Sequence, residues 1–339
     1  MKTNVVNVDL WINNSDVPTN DYYEIKDPGR LTDTVARVAK GTVEDVNRAV
    51  EAAHQAFLSW KKLDVRERVK MISDAVKVLQ ESVPELSPIL VRENGGVLRE
   101  TQREVGRAAV IIQYYADIAE SCLAPKVIED ENCRIEIEKI PIGVVAAIVP
   151  WNFPVSITAL KVGPALAAGN TLVVKPSPNA PVTITLALKK MASVLPPGVI
   201  NVVNGDAEVG TALVRHPLVR KISFTGGNKT AKYIIADAGS TIKNMTLELG
   251  GNDPAIILDD VNPVEIMPDL VRGIFTRSGQ ICFAVKRVYV PQAMYDKFYD
   301  TMCQVVDEIK VGHGLDERAT MGPVNNLVQY QFVKDLIQR

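Results

Sequence analysis

Residues 143–178 read GVVAAIVPWNFPVSITALKVGPALAAGNTLVVKPSP. Two short runs of small and β-branched apolar residues, Gly143–Val149 and Thr171–Val174, flank a stretch of helical character near 155–168. Such runs carry no polar alternation, so they describe strands covered on both faces. The rhythm continues with strands at Val199–Val203, Lys221–Phe224 and Asn244–Leu249, and with helical stretches near 181–194, 207–215 and 228–237. Buried strands alternating with helices predict an α/β fold around a parallel sheet. Ligands of such sheets bind beyond the carboxyl ends of the strands. That places Pro150–Pro154, Lys175–Pro178, Gly205–Asp206 and Thr225–Gly227 where a site is expected.

Upstream, residues 1–40 read as an irregular lead-in with short strand-like pieces such as Thr34–Val38. A helix starts at Thr42, with Asp45 completing a capping box, and Val46, Ala49, Val50, Ala53, Phe57 and Trp60 recur at helical spacing. Arg66–Leu79 and Thr101–Glu120 are further amphipathic helices. From Cys133 apolar and charged residues alternate, which predicts a strand with one wet face, an edge or an arm between subunits near 124–142. Downstream of Gly251 a second α/β segment is expected, with a helix at 263–278, a strand at 286–291 and helices at 293–310 and Leu327–Arg339.

The chain has 339 residues, enough for two domains, divided here as 1–250 and 251–339. Apolar residues make up 47% and charged residues 23%, a globular composition, and the net charge of -2 argues against nucleic acid as a partner. Four widely spaced cysteines form no CxxC pair, and the three histidines are isolated, so neither a disulfide framework nor a metal site is predicted. The N-terminus lacks an apolar signal region, and Val144–Val149 is far too short to span a bilayer. The expected location is cytoplasmic, away from membranes.

Three segments carry candidate chemistry: Pro150-Trp151-Asn152-Phe153-Pro154, Leu247-Glu248-Leu249-Gly250-Gly251, and Ser278-Gly279-Gln280-Ile281-Cys282. Cys282 follows a glycine-containing turn that would present its thiol at a loop or a helix start. Its plain alternative is a small core residue, the reading kept for Cys122, Cys133 and Cys303. Glu248 ends an apolar strand, where burial would raise its pKa toward that of a general base; the alternative is a structural ion pair or an exposed strand end. Asn152 offers an amide donor, or else satisfies a turn.

These segments, in this order and joined by the KPS and FTGG turns, resemble the aldehyde dehydrogenase superfamily over nearly the whole chain. The resemblance implies a Rossmann-type parallel-sheet cofactor domain followed by an incomplete α/β catalytic domain. It implies NAD(P)-dependent oxidation of a small-molecule aldehyde to an acid, with Cys282 as nucleophile, Asn152 in the oxyanion hole and Glu248 activating the hydrolytic water. It further places Val149, Pro150, Trp151, Lys175, Ser177, Pro178, Gly205, Phe224, Thr225, Gly226, Gly227, Leu249 and Gly250 against NAD or NADP.

The chain departs from that pattern in several places. Pro178 stands where many NAD-preferring members carry a glutamate, so no carboxylate would repel a 2′-phosphate. Gly227 stands for a common serine, Ala231 for a common glycine, and Arg277 for a usual asparagine. Lys161 matches a lysine near the family's proton path. Trp151, Phe153, Ile157, Ile281 and Phe283 would line the aldehyde pocket, and Phe283 points to an apolar or aromatic substrate. Family members continue for about another third of their length and form homodimers or homotetramers, so truncation is expected at Arg339. The competing expectations are an inactive or weakly active nucleotide-binding remnant, and a thiol esterase.

Overall fold

The computed structural model describes residues 5–339; the first four residues of the expected lead-in lie outside them. A seven-stranded sheet runs in the order Asn244–Glu248, Val219–Thr225, Val144–Ile148, Thr171–Lys175, Ile200–Val202, Leu10–Ile12, Ser15–Val17. The first five strands are parallel, as the sequence predicts. From Val144–Ile148 the chain steps outward through Thr171–Lys175 and Ile200–Val202, then crosses back to place Val219–Thr225 on the other side. That reversal marks the switch point of the sheet, and ligands of such sheets bind in the crevice beyond the carboxyl ends of its strands, here Val144–Ile148 and Val219–Thr225.

Alternation within the central strands explains why both faces are covered. Val145, Ala147, Leu172 and Val174 pack against helices Val65–Glu81, Leu98–Asp117, Pro154–Ala167 and Val182–Ala192. Val144, Ala146, Ile148 and Val173 face the opposite layer of Val43–Trp60, Ala207–Arg215 and Asn228–Gly239. Every residue of Val144–Ile148 and Thr171–Lys175 is buried, and each fully buried Val or Leu side chain contributes about 2 kcal/mol. The first helix begins as expected, with the Thr42 hydroxyl accepting the Asp45 N–H and the Asp45 carboxylate accepting the Thr42 N–H at 2.8 Å.

Three expectations are corrected. The lead-in is ordered: Arg30–Ala39 pairs antiparallel with Tyr22–Asp27 and parallel with Val6–Val8, and the hairpin Leu10–Ile12/Ser15–Val17 extends the main sheet. Its turn is Asn13-Asn14, at φ 52° and 57°, residues that tolerate the left-handed region a tight hairpin requires. A further helix, Val83–Asn94, to which the sequence reading assigned no element, has Pro84 in its first turn, where proline is tolerated, and is closed by Gly95 at φ 92°. The arm, Lys126–Glu129 paired with Arg134–Ile137, is exposed on both faces rather than on one. The helix expected over 263–278 stops at Phe275, and Arg277, Ser278 and Gly279 form a left-handed turn (φ 54°, 57° and 71°).

Beyond the main sheet, Asp253–Ile256 pairs in parallel with Val285–Tyr289. Helix Pro263–Phe275 makes the crossover and packs with Tyr295–Asp307 around Ile257, Met267, Val271 and Phe298. No helix among the described residues is long and apolar enough to cross a membrane.

Candidate active site

Strand Val144–Ile148 delivers the chain into the crevice, and Val149 still pairs with its neighbour by donating to the Lys175 carbonyl at 3.1 Å. The turn Pro150–Phe153 then enters helix Pro154–Ala167. No side chain of that turn caps the helix. The buried Glu104 carboxylate does so from a neighbouring helix, accepting the Val155 N–H at 2.9 Å. The Asn94 amide holds the turn from beneath, donating to the carbonyls of Trp151 and Asn152 at 2.5 and 3.3 Å.

Asn152 reaches across the crevice. Its amide donates one N–H to the Gln280 carbonyl at 2.8 Å, over a separation of 128 residues. A side-chain amide carries two N–H groups, so one remains for a ligand oxygen. The Asn152 Oδ1 is buried and has no hydrogen-bond partner.

Cys282 is half-buried in the loop that follows the left-handed turn, and no helix begins there. Gln280 folds back twice onto the Arg277 carbonyl, from its N–H at 3.1 Å and from Nε2 at 2.9 Å, while its Oε1 accepts the Asn325 N–H at 3.0 Å. Lys286 ties the far side by donating to the carbonyls of Ile281, Cys282 and Ala284 at 3.1, 3.2 and 2.9 Å. A Cβ at Gly251 would stand 2.7 Å from the Cys282 carbonyl oxygen. The second glycine of LELGG therefore lets the strand end approach the cysteine loop.

Glu248 ends the edge strand Asn244–Glu248 and is exposed, which corrects the expectation that burial would tune it. Lys161, given little weight from sequence, is buried and donates to the Ser223 hydroxyl at 3.1 Å. Burial lowers its pKa to about 8, and the charge of Glu248 opposes the shift.

The nucleotide candidates sit at the same edge. Lys175 is buried, its ammonium donating to the Pro176 carbonyl at 3.1 Å, and burial brings its pKa down to about 8. Ser177 is partly buried and Pro178 exposed beside it. Gly205 lies at φ 152°, where a Cβ would strike Val209. Phe224 and Thr225 end their strand, and a Cβ at Gly226 would stand 2.5 Å from the Phe224 ring. Gly227 faces open space and heads helix Asn228–Gly239 without a side-chain cap. Leu249 packs against the helix layer behind, whereas Gly250 is exposed. Phe283 is 70% exposed, whereas the Phe153 ring lies 4.7 Å under the Arg277 guanidinium and so is taken up in packing.

The sequence reading missed Asn94 and Glu104 and assigned no role to Arg277. Glu104 was detectable: it falls on the buried stripe Thr101, Glu104, Val105, Ala108, and a carboxylate at such a position needs a partner.

Comparison with known proteins bears on the family and the fold. Residues 11–339 match the model of the aldehyde dehydrogenase family. The chain is 37% identical over 333 residues to a mitochondrial succinate-semialdehyde dehydrogenase of Arabidopsis thaliana, covering 97% of this chain and 62% of that protein. It is 37% identical to succinate-semialdehyde dehydrogenase [NADP(+)] 1 of Schizosaccharomyces pombe, covering 94% and 65%. A crystal structure of an E. coli NADP dependent enzyme superimposes with a TM-score of 0.95 at 31% identity, covering 98% of this chain and 70% of that one. The chain thus spans 62% and 65% of the length of these two curated relatives. Matched by the family's model over residues 11–339 and sharing its fold with that solved structure, this chain belongs to the aldehyde dehydrogenase family.

Proposed function

We propose that the chain carries the reaction centre of an NAD(P)-dependent aldehyde dehydrogenase acting through a cysteine thioester. The observation that carries this reading is the Asn152–Gln280 hydrogen bond, which brings the amide donor to the loop of the thiol. In this reading the Cys282 thiolate adds to the aldehyde carbonyl. The developing oxyanion takes the free Asn152 N–H and the Cys282 backbone N–H, worth about 3 kcal/mol per donor. A bound nicotinamide supplies the hydride acceptor that no side chain provides. Cys282 then holds the acyl group as a thioester. Glu248, exposed and free to swing, takes a proton from the water that releases the acid, and Lys161 holds a proton behind it.

The residues present fit a dinucleotide. Lys175 keeps donors to spare beyond its bond to Pro176, and the uncapped start of helix Asn228–Gly239 offers backbone N–H groups to phosphate. Ser177, Gly205, Phe224, Thr225, Gly226 and Gly227 would complete that grip, with Val149, Pro150, Trp151, Leu249 and Gly250 toward the ring. Pro178 leaves either NAD or NADP acceptable, and one curated relative is named for NADP. We assign the nucleotide to a domain of residues 1–250 and the thiol to 251–339. Exposed Phe283 beside Cys282 favours an apolar aldehyde. The exposed arm suits assembly into a homodimer or homotetramer, and the cytoplasm is the proposed location.

Rapid mixing of the chain with a simple aldehyde and NAD or NADP tests this. A burst of reduced nicotinamide that Cys282→Ser lacks is the expected result. Folded chain that binds nucleotide without turnover would support a remnant instead. Ester cleavage indifferent to nicotinamide, with no aldehyde oxidation, would support a thiol esterase.

A further inference from the structure

Arg277 departs from the family pattern at the turn that leads into the cysteine loop. Its side chain is 1% exposed, and so deeply placed a guanidinium must be paired. One nitrogen meets the Glu104 carboxylate at 2.5 Å, where Glu104 is itself fully buried, and a second donates to the Asn94 Oδ1. Glu100 adds charge at 3.8 Å. The plane of the group covers Phe153, and a Cβ at Gly96 would collide with it, so a glycine there makes the room.

These contacts reach both halves of the reaction centre. Glu104 caps the helix behind Asn152, and Asn94 holds the carbonyls of Trp151 and Asn152. The Arg277 carbonyl holds Gln280, whose own carbonyl takes the Asn152 amide. The backbone between them is strained. Arg277 and Ser278 lie at φ 54° and 57°, a region that side-chain-bearing residues adopt at a cost, and Gly279 follows at 71°. Ser278 is pinned by donating to the Gly322 carbonyl at 2.8 Å, and Arg277 is pinned by its guanidinium.

We propose that Arg277 is a positioning residue. Its guanidinium, locked between Glu104 and Asn94, holds the left-handed turn and so sets the spacing between the Asn152 amide and Cys282. The proposal rests on the reading of those two residues as oxyanion donor and nucleophile.

The test uses the full chain with Arg277→Lys, which keeps the charge but cannot span both partners. A second variant, Glu104→Gln with Arg277→Met, removes both charges together, so no ion is left buried alone if the single variant fails to fold. Two reactions of Cys282 are compared without nucleotide. Cleavage of a nitrophenyl ester needs the oxyanion donors; alkylation by iodoacetamide, read by mass spectrometry at Cys282, does not. Either variant is expected to lose about 100-fold in ester kcat, while alkylation changes by less than about threefold. In an Asn152→Ala background the same change should cost little further, because the spacing no longer matters. Parallel loss of both reactions would reduce Arg277 to a structural support and overturn the proposal. Unchanged ester kcat, or a loss that adds fully to that of Asn152→Ala, would overturn it too. If the unsubstituted chain alkylates no faster at Cys282 than at exposed Cys303 and cleaves no ester, the nucleophile reading fails first and the proposal with it.

Discussion

In the proposed reading Asn152 is an oxyanion donor and more than a turn residue. Its amide has two N–H groups; the Gln280 carbonyl fixes the first and thereby aims the second. Removing that donor should lower kcat for aldehyde or ester by about 100- to 1000-fold. Asn152→Ala should cost only about 1 kcal/mol of stability, since it removes the single bond to the Gln280 carbonyl while its Oδ1 already lacks a partner. Steady-state kinetics beside a thermal melt checks both halves. Lys175 makes a different prediction. Its ammonium is buried with a pKa of about 8, so nucleotide phosphate or ribose would restore interactions that burial removed. Lys175→Met should therefore weaken nucleotide binding by about tenfold or more, on the scale of one charged hydrogen bond, with Cys282 alkylation unaffected. Nucleotide titration by calorimetry reads this directly.

Helix termini organise the site at the next scale. Two helices that lead away from the crevice borrow carboxylates from helices packed beside them. Glu104 caps Pro154–Ala167. Glu93 caps Val182–Ala192 by accepting from the Val182 and Thr183 N–H groups and from the Thr183 hydroxyl at 2.7 Å. Complete burial pushes the Glu93 pKa up from 4.5 to about 7 despite those bonds. For an acid whose folded pKa is raised, the stabilising contribution is fully present below pH 4.5 and is lost as pH rises through about 7. Stability should therefore fall across that window, and Glu93→Gln should flatten the fall; urea unfolding at pH 5, 6, 7 and 8 measures it. A steeper fall in the variant would contradict the assignment. The capping box at Thr42 rests on the Asp45 carboxylate, whose pKa, against the cost of burial, is lowered by the Arg48 and Thr42 hydrogen bonds, so Thr42→Ala should cost about 1 kcal/mol near neutral pH.

Across the whole molecule, the site exists because the segment after Asp253 is clasped to the helices that precede the sheet. Gly95 and Gly96, just past helix Val83–Asn94, lie backbone to backbone with Gly322 and Gly314. Asn325 donates to the carbonyls of Glu93 and Asn94 at 3.2 Å, and Gly322 accepts from Ser278. A Cβ at Gly322 would drive into the Gly95 carbonyl. Gly322→Ala should cost about 2 kcal/mol or more and depress ester cleavage as the cysteine loop loosens. Activity retained with full stability would show that the clasp is not needed. The division between what was legible in sequence and what was not follows the range of the forces involved. Runs of small and β-branched residues at Gly143–Val149 and Thr171–Val174 read as strands covered on both faces, and the helical spacing of Val46, Ala49, Val50 and Ala53 left one face to bury. Sequence also named Asn152 and Cys282 as the candidate reacting side chains, because the motifs that carry them are contiguous stretches readable without the fold. The tertiary structure alone decided their register. Arg277 meets Glu104 across 173 residues, and Asn152 meets Gln280 across 128, pairings that loop closure and packing bring about and that no local pattern encodes. It also decided that Glu248 stands in solvent, because an edge strand has a neighbour on one side only, whatever its own residues prefer.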